Sequence, residues 1–429
     1  MRRPPGADPR AWRSPLRGPW FTSVLGAVLL VALPVVALTG LLSYAAYGPG
    51  LGQARPADVG WLRLPSFDWP TDPAWLYRLT QGLHVGLGLV LVPVVLAKLW
   101  SVAPRLTSWP PVRSPSHLLE RLSLLLLVGG LLFEIATGVL NIQYDYLFGF
   151  SFYTAHYYGA WVFMAGLVSH VILKLPLLVA ALRSRSLREE LRTPLASTLP
   201  EDPARDLAAP YPADDSLVAV APAPATVSRR GALALVGGGS LMVLALTAGQ
   251  TVGGATRQLA LLLPRGRDTG DGPNDFPVNR TAEAAGISAA AVGSGWRLVL
   301  TGAEGQDPVE LDRAALLALP QHTATLPIAC VEGWSTTETW TGVRLRDLAA
   351  LVGVEDPDGA EVESLQESGA FRQAALNAGQ AGHADSLLAL RVNGVDLSLD
   401  HGFPARIIVP AMPGVLNTKW VAAVRFGGR

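Results

Sequence analysis

Apolar residues run almost unbroken through four long stretches of the N-terminal half, at about 20–46, 79–100, 118–141 and 153–182. Each reaches the roughly 20 residues a helix needs to cross the hydrocarbon core of a bilayer, so the pattern predicts an all-α bundle of four spans. A fifth stretch, about 231–249, is shorter and diluted by Gly237, Gly238, Gly239 and Ser240. It is expected to be a fifth, anchoring span whose small residues allow close helix packing. Further on the apolar runs shorten to strand length. Trp296-Arg297-Leu298-Val299-Leu300 begins the series, and two such runs, Leu387–Val392 and Val395–Leu399, flank Asn393-Gly394, the strongest two-residue hairpin signal. Strands are also expected at 406–409 and 419–424, with helices near 311–319 and 344–352, which together predict an α+β domain.

Between the two halves, residues 193–228 hold Pro194, Pro200, Pro203, Pro210, Pro212, Pro222 and Pro224 among Ala, Asp and Ser, the composition of a mobile linker. The expected organisation is therefore a four-span membrane domain (1–192), a cytoplasmic Pro/Ala-rich linker (193–228), a fifth span (229–255) and a C-terminal domain (256–429). Orientation follows from the basic residues. Arg2, Arg3, Arg10, Arg13 and Arg17 precede the first span; Lys98, Arg105, Arg113 and Arg121 bracket the second connection; Arg183, Arg185, Arg188 and Arg192 follow the fourth span. The positive-inside rule places these three regions in the cytoplasm. The opposite loops fit: 47–76 mixes Arg55 and Arg63 with Asp58, Asp68 and Asp72, and 142–152 carries no Lys or Arg. Trp61, Trp69, Trp75 and Tyr77 then read as an outer interfacial belt, and the fifth span carries the C-terminal domain to the extracytoplasmic side of a bacterial-type cytoplasmic membrane.

Composition supports this frame. Half the residues are hydrophobic and only 16% charged, with Lys+Arg and Asp+Glu balanced at 34 each, which is membrane-protein usage and gives no general attraction to nucleic acid. No GxGxxG or Walker-type loop supports nucleotide binding, and one cysteine with scattered histidines does not make a zinc site.

Polar rings inside lipid need partners. His84 lies on the second span, and His156 and His170 on the fourth. Fourteen residues separate His156 from His170, which returns the helix to nearly the same face about 21 Å along its axis. On the second span the equivalent step from His84 reaches Lys98, so the repeat is half-kept. His84 and His156 fall near the same ends of antiparallel spans, where facing imidazoles suit the axial positions of a b-type haem. His170 is a candidate for a second haem or a quinone site, Glu134 for a proton or quinone group, and His117 for an interfacial residue. The alternative is structural hydrogen bonding. Bundle and histidine placement together loosely resemble the transmembrane haem-binding cytochrome b group.

Cys330 is the one cysteine of the chain. With no partner for a disulfide, it is either an inert buried thiol or a thiolate with a task, such as ligating a soft metal. Its surroundings, Cys330-Val331-Glu332-Gly333-Trp334-Ser335, are followed by Trp340-Thr341-Gly342-Val343, His401-Gly402-Phe403-Pro404-Ala405-Arg406 and Pro413-Gly414-Val415-Leu416-Asn417-Thr418-Lys419-Trp420. These ordered motifs, over about 295–429, resemble the sulfite oxidase-type molybdopterin domain, especially its methionine sulfoxide reductase-like branch. The resemblance implies a molybdenum–molybdopterin cofactor with Cys330 as the metal's protein ligand and the catalytic centre. It also implies cofactor contacts at His401, Arg406, Lys419 and Trp420, with His322 a weaker candidate.

Two features set the chain apart from sulfite oxidases proper. No immunoglobulin-like dimerisation domain follows the last core strand before Arg429, which favours the reductase-like branch and a monomeric molybdenum domain, and Phe371 stands where such proteins often carry tyrosine. Ser228-Arg229-Arg230-Gly231 ahead of a weakly apolar stretch resembles a twin-arginine export signal placed internally, a route suited to a domain that folds around its cofactor in the cytoplasm. The combined expectation is an oxidoreductase that transfers an oxygen atom to or from a small oxo substrate and exchanges electrons with quinone through b-type haem. Sulfite oxidation and a non-catalytic electron-transfer module are the alternatives.

Overall fold

The computed structural model describes residues 8–52, 67–107, 112, 114–142, 151–202, 217–262, 270, 272–369 and 371–427. The expectations for Arg2, Arg3, Arg55, Asp58, Trp61, Arg63 and Arg113, for most of the 142–152 loop and for the middle of the linker fall outside them.

Six helices carry the apolar stretches: α1 (Pro19–Ala46), α2 (Leu76–Val90), α3 (Val92–Leu106), α4 (Pro115–Asn141), α5 (Phe152–Ser184) and α6 (Arg229–Ala245). The second predicted span is a pair. The two helices meet at Leu91, which keeps its own helical bonds to Leu87 and from Val95, and the missing bond is the one that Pro93, with no N–H, cannot donate. Counting α2 and α3 as one crossing, five segments among the described residues are long and apolar enough to traverse a membrane. Their outward side chains bear this out: Val31, Leu125, Ile172, Leu235 and Leu241 are each about two-thirds or more exposed, a distribution suited to lipid.

The chain divides into two compact units, the first made of residues 1–37, 86–141 and 146–245. In it Trp20, Phe21, Leu25, Leu29 and Leu33 of α1 pack with Leu91, Val94, Val95 and Phe163. Glycine brings α4 and α5 together, since a Cβ on Gly166 would lie 2.8 Å from the Leu127 backbone nitrogen. The glycines of α6 behave differently. Gly237 and Gly238 face no atom within 4 Å, and only Gly239 meets a neighbour, Pro93, so close packing explains one of the three.

The described parts of the linker are packed on this unit, unlike the free chain expected. Both Glu201 oxygens accept backbone hydrogen bonds at the start of α1, from Trp20 N at 2.7 Å and Phe21 N at 3.1 Å, satisfying donors a helix leaves open. Arg229 is buried and bonds Glu190 at 3.1 Å and the Leu199 carbonyl at 2.8 Å, whereas Arg230 is exposed.

The second unit comprises residues 38–85, 142–145 and 246–429. Its core is two five-stranded sheets. The first has the order β2 (Val309–Leu311), β1 (Leu298–Thr301), β10 (Val421–Phe426), β5 (Gly359–Ser364), β6 (Gln373–Asn377), with β1 and β10 parallel and the other pairs antiparallel. The second is antiparallel: β3 (His322–Ala329), β4 (Ser335–Arg344), β7 (Leu387–Val392) and β8 (Val395–Asp396), with β9 (Arg406–Ile408) also on β7. Short helices α7 (Arg313–Ala318), α8 (Leu345–Ala350) and α9 (Ala378–Gly382) complete the α+β domain. The predicted hairpin is present, with Val392 opposite Val395 and both Asn393 and Gly394 at positive φ, as its turn requires.

The β3–β4 hairpin positions Cys330. Along β3, Ala324, Leu326 and Ile328 are buried, while Thr323 and Thr325 pair outside with Thr341 and Thr339 of β4 through their hydroxyls. The same two-residue period carries one step past the strand and turns Cys330 inward, into a cluster with Trp334, Trp340 and Phe276. A bulge at Thr341/Gly342 follows on β4. There a Cβ on Gly342 would fall 2.0 Å from the Leu388 oxygen, so only glycine fits.

Candidate functional site

Cys330 opens a five-residue connection between β3 and β4. Its N–H donates to the Trp334 carbonyl at 2.9 Å and its own carbonyl accepts from Gly333 N at 3.0 Å, closing a turn that places Gly333 at φ +92°. Glu332 accepts a hydrogen bond from the Trp334 indole at 2.9 Å, which fixes that ring beside the thiol.

Four further segments converge on the same place. They form a small pocket lined by Phe276, Asn279, Cys330, Trp334, His401, Arg406 and Lys419, with Pro277, Val278, Ile328 and Gly414 filling the walls. Ser398 caps the turn Leu399–His401 and so presents His401. The imidazole Nε2 donates to the Asn274 carbonyl at 2.8 Å, and the ring stacks on Phe276 with centroids 3.6 Å apart. Arg406 comes from β9 and lies over the Trp340 ring at 5.5 Å. The Lys419 ammonium donates to the carbonyls of Arg280 at 2.5 Å and Asp400 at 2.9 Å.

Charge is the unusual property of this cavity. Cys330, His401, Arg406 and Lys419 are 4%, 3%, 4% and 8% exposed, yet no Asp or Glu is among the lining residues. Among the described residues, Arg406 makes one long hydrogen bond, to the His401 carbonyl at 3.4 Å, and its buried Nε has no partner. Burial lowers the Arg406 pKa to about 9. Lys419 is held well below its ordinary value by burial and then by Arg406, with Asp400 and Cys330 pulling the other way. His401 is pushed down to about 3 by burial and by the Arg406 and Lys419 charges, so near neutrality it is an uncharged donor. A buried cation without a counter-charge costs several kcal/mol, and such a site is completed by an anion.

The cavity thus suits a negatively charged group beside a thiol. Among the described residues no cluster of three or more His, Cys, Asp or Glu is arranged to hold a metal ion. A metal at Cys330 would therefore take its other ligands from a bound organic group. The phosphate of a pterin cofactor supplies the anion that Arg406 and Lys419 lack, so the residues present fit that cofactor.

The remaining sequence candidates lie elsewhere. His322 does not line the cavity: its ring bonds Asp385 at 2.8 Å and Arg344 at 2.8 Å, in a surface cluster where two partners use both nitrogens. Trp420 is buried behind the site, donating to the Leu399 carbonyl at 2.7 Å with Lys419 over its face at 4.7 Å. His383 contacts Asp72 at 3.1 Å. Phe371 sits 6.1 Å from the Tyr47 ring of the segment after α1, which brings a phenol beside the phenylalanine. Sequence reasoning missed residues 274–279. Their one signal is Phe276-Pro277-Val278 between Asn274 and Asn279, an apolar triplet in an otherwise polar stretch.

The membrane histidines stand in separate settings. His84 on α2 packs against Gly40 of α1, where an added Cβ would come within 2.8 Å of the imidazole Cε1. His156 on α5 places Nδ1 3.0 Å from the Thr137 hydroxyl and 3.1 Å from a Glu134 oxygen. His170 is half-buried farther along α5, and His117 at the start of α4 meets Arg121 at 3.4 Å. Lys98, at the place a repeat of His84 would occupy, donates to the Thr22 carbonyl at 2.7 Å.

Comparison with known proteins addresses the C-terminal domain. Residues 286–428 match the oxidoreductase molybdopterin binding domain. The chain is 28% identical over 152 residues to sulfite oxidase of Arabidopsis thaliana, covering 28% of this chain and 39% of that protein. It is 32% identical over 155 residues to mitochondrial sulfite oxidase of Mus musculus, covering 30% and 28%. With the uncharacterized oxidoreductase YuiH of Bacillus subtilis it shares 32% identity over 120 residues, or 28% of this chain and 59% of that one. Among solved structures, the sulfane dehydrogenase SoxCD from Paracoccus pantotrophus aligns with 32% of this chain and 39% of its own, at 23% identity and a TM-score of 0.29. The chain thus spans well under half the length of the sulfite oxidases it matches. Cys330, Trp334, His401, Arg406 and Lys419 of the cavity lie within the matched segment, residues 276–279 lie just before it, and 286–428 is similar to the molybdopterin-binding domain of the sulfite oxidases.

Proposed function

We propose that this chain is a membrane-bound, molybdenum-dependent oxidoreductase that transfers an oxygen atom to or from a small oxo substrate. One observation carries the reading: a buried thiol shares a cavity with Arg406 and Lys419, whose charges lack a carboxylate partner there. When bound, the molybdenum cofactor supplies the two-electron oxygen-transfer chemistry. Cys330 is its thiolate ligand and the catalytic residue, while Arg406, Lys419 and neutral His401 hold the anionic pterin portion. Trp334, fixed by Glu332, closes the wall beside the thiol and restricts water. Trp420 supports the Lys419 end from behind.

Reduction of a sulfoxide takes two electrons and two protons and releases a sulfide and water. Oxidation of sulfite consumes water and releases sulfate, two electrons and two protons. The names of the matched sulfite oxidases favour the second direction, so both substrates belong in any assay. Replacing the soft thiolate by a hard hydroxyl weakens metal ligation while conserving volume. Cys330→Ser is thus expected to lose at least a hundredfold in turnover of sulfoxide or sulfite with an artificial mediator, with the domain still folded and pterin retained. Wild-type turnover in this variant would make Cys330 an inert core thiol.

Among the apolar helices, we read His84 and His156 as axial ligands of a b-type haem that relays single electrons to or from the quinone pool. Support comes from Gly40, which leaves room beside the His84 ring, and from the Thr137 and Glu134 oxygens at His156 Nδ1, which orient the imidazole as ligand histidines require. His170 is the candidate for a second haem or a quinone contact. The expectation is that His84→Ala and His156→Ala each abolish the same reduced-haem absorbance in purified membranes, and that His170→Ala keeps it. A full spectrum in either of the first two variants would end the pairing.

Export of the folded domain is assigned to the internal twin-arginine-like segment. Because Arg229 also holds Glu190, its replacement would confound recognition with stability, whereas exposed Arg230 isolates the signal. Arg230→Lys should leave the C-terminal domain protected from external protease in intact cells. Unchanged accessibility would argue against the signal.

A further inference from the structure

The turn that carries Cys330 does not hold itself. Of its carbonyls, that of Cys330 is satisfied by Gly333 N and that of Trp334 by Cys330 N. The Val331 carbonyl accepts from the side-chain amide of Gln81 at 2.5 Å, and the Gly333 carbonyl from the Thr251 hydroxyl at 2.7 Å. Both donors lie outside the 286–428 domain. Gln81 is on α2, in the second turn of a candidate membrane span, and Thr251 is in the single helical turn Gly249–Val252 after α6.

These donors belong to one stripe. Arg78, Gln81, Gly82 and Val85 occupy i, i+3, i+4 and i+7 of α2, a single helix face. Arg78 donates to the carbonyls of Thr251 at 3.2 Å and Val252 at 2.6 Å and to the Thr337 hydroxyl at 3.2 Å. Gly82 makes room for Thr251, whose methyl would lie 2.3 Å from an added Cβ, and Val85 lies against Gly333, where a Cβ would come within 2.9 Å. The Ser335 hydroxyl returns a bond to the Thr251 carbonyl at 2.6 Å, and Arg257 reaches the Ser335 carbonyl at 2.7 Å. Gln81 is 2% exposed, so its amide is committed to this contact and shielded from water.

We propose that Gln81 and Thr251 are positioning residues for Cys330, so that the end of a membrane helix is a working part of the oxidoreductase site. They act through the backbone on either side of the turn and touch neither thiol nor substrate. This inference deepens the reading of Cys330 as the reactive thiol, and its test has an arm that does not depend on the cofactor.

In the full-length, cofactor-free protein, the rate at which a maleimide labels Cys330 reports how firmly the turn is held. Gln81→Met and Thr251→Val, which remove each donor at similar volume, are expected to raise that rate about tenfold, the scale of one lost hydrogen bond. Thr251→Ser, which keeps the hydroxyl, should retain the wild-type rate. In the loaded protein the first two variants should lower kcat about tenfold for the mediator-driven reaction with KM unchanged, at an unaltered melting temperature. Wild-type labelling and kcat in both inserted variants would overturn the proposal. If Gln81→Met fails to insert, the Thr251 pair decides alone. A wild-type protein without molybdenum or turnover would instead defeat the oxidoreductase reading, and the labelling arm would still judge the positioning claim.

Discussion

Two buried cations whose shared cavity is lined by no carboxylate are the constraint around which the C-terminal domain is organised. Arg406 and Lys419 are almost wholly removed from water, and the cavity they share offers carbonyls but no carboxylate. Folding a domain around such a pair sacrifices stability that an apolar core would keep. Proteins retain such an arrangement where an anion is to be bound, because the charge is then already desolvated and oriented when the ligand arrives. The neutral state of His401 follows first from its own burial and then from the same pair, whose positive charges disfavour a third.

The fold delivers the reactive thiol to that charge by simple periodicity. Alternation along β3 decides that Cys330 faces the core, the Gly333 turn brings the chain back as β4, and β7 carries Arg406 in on its neighbour β9. What alternation cannot supply is donors for the carbonyls of the turn. Those come from one face of α2 and from the turn after α6, so a span expected to carry a haem ligand and the span expected to anchor the domain both contribute to the geometry of its site.

Much of this was legible in the sequence, for reasons that differ by element. The spans were visible because lipid requires about 20 apolar residues in a row, and the Asn393-Gly394 hairpin because few residues accept its backbone angles. Cys330, His401, Arg406 and Lys419 stood in dense local motifs, and they share one cavity. Less was visible where a side chain finds its partner across the chain. His322, a weaker candidate than His401 in sequence, is held outside the cavity by Arg344 and Asp385. Residues 274–279 and Gln81 carried no periodic signal, since their value lies in carbonyls and a lone amide that meet distant backbone. The junction at Leu91 was signalled by Pro93 but concealed by uniform hydrophobicity.

The cationic cavity makes the central claim testable without turnover. Thermal unfolding of cofactor-free Arg406→Met, compared with cofactor-free wild type in the full-length protein, measures whether the guanidinium is an uncompensated charge. A buried charge with no partner is expected to be replaced by a volume-matched apolar side chain at no loss or with a gain of about 1–4 kcal/mol, while cofactor loading of the variant collapses. A loss of about 3–5 kcal/mol in the cofactor-free protein, the signature of breaking a satisfied buried pair, would contradict it.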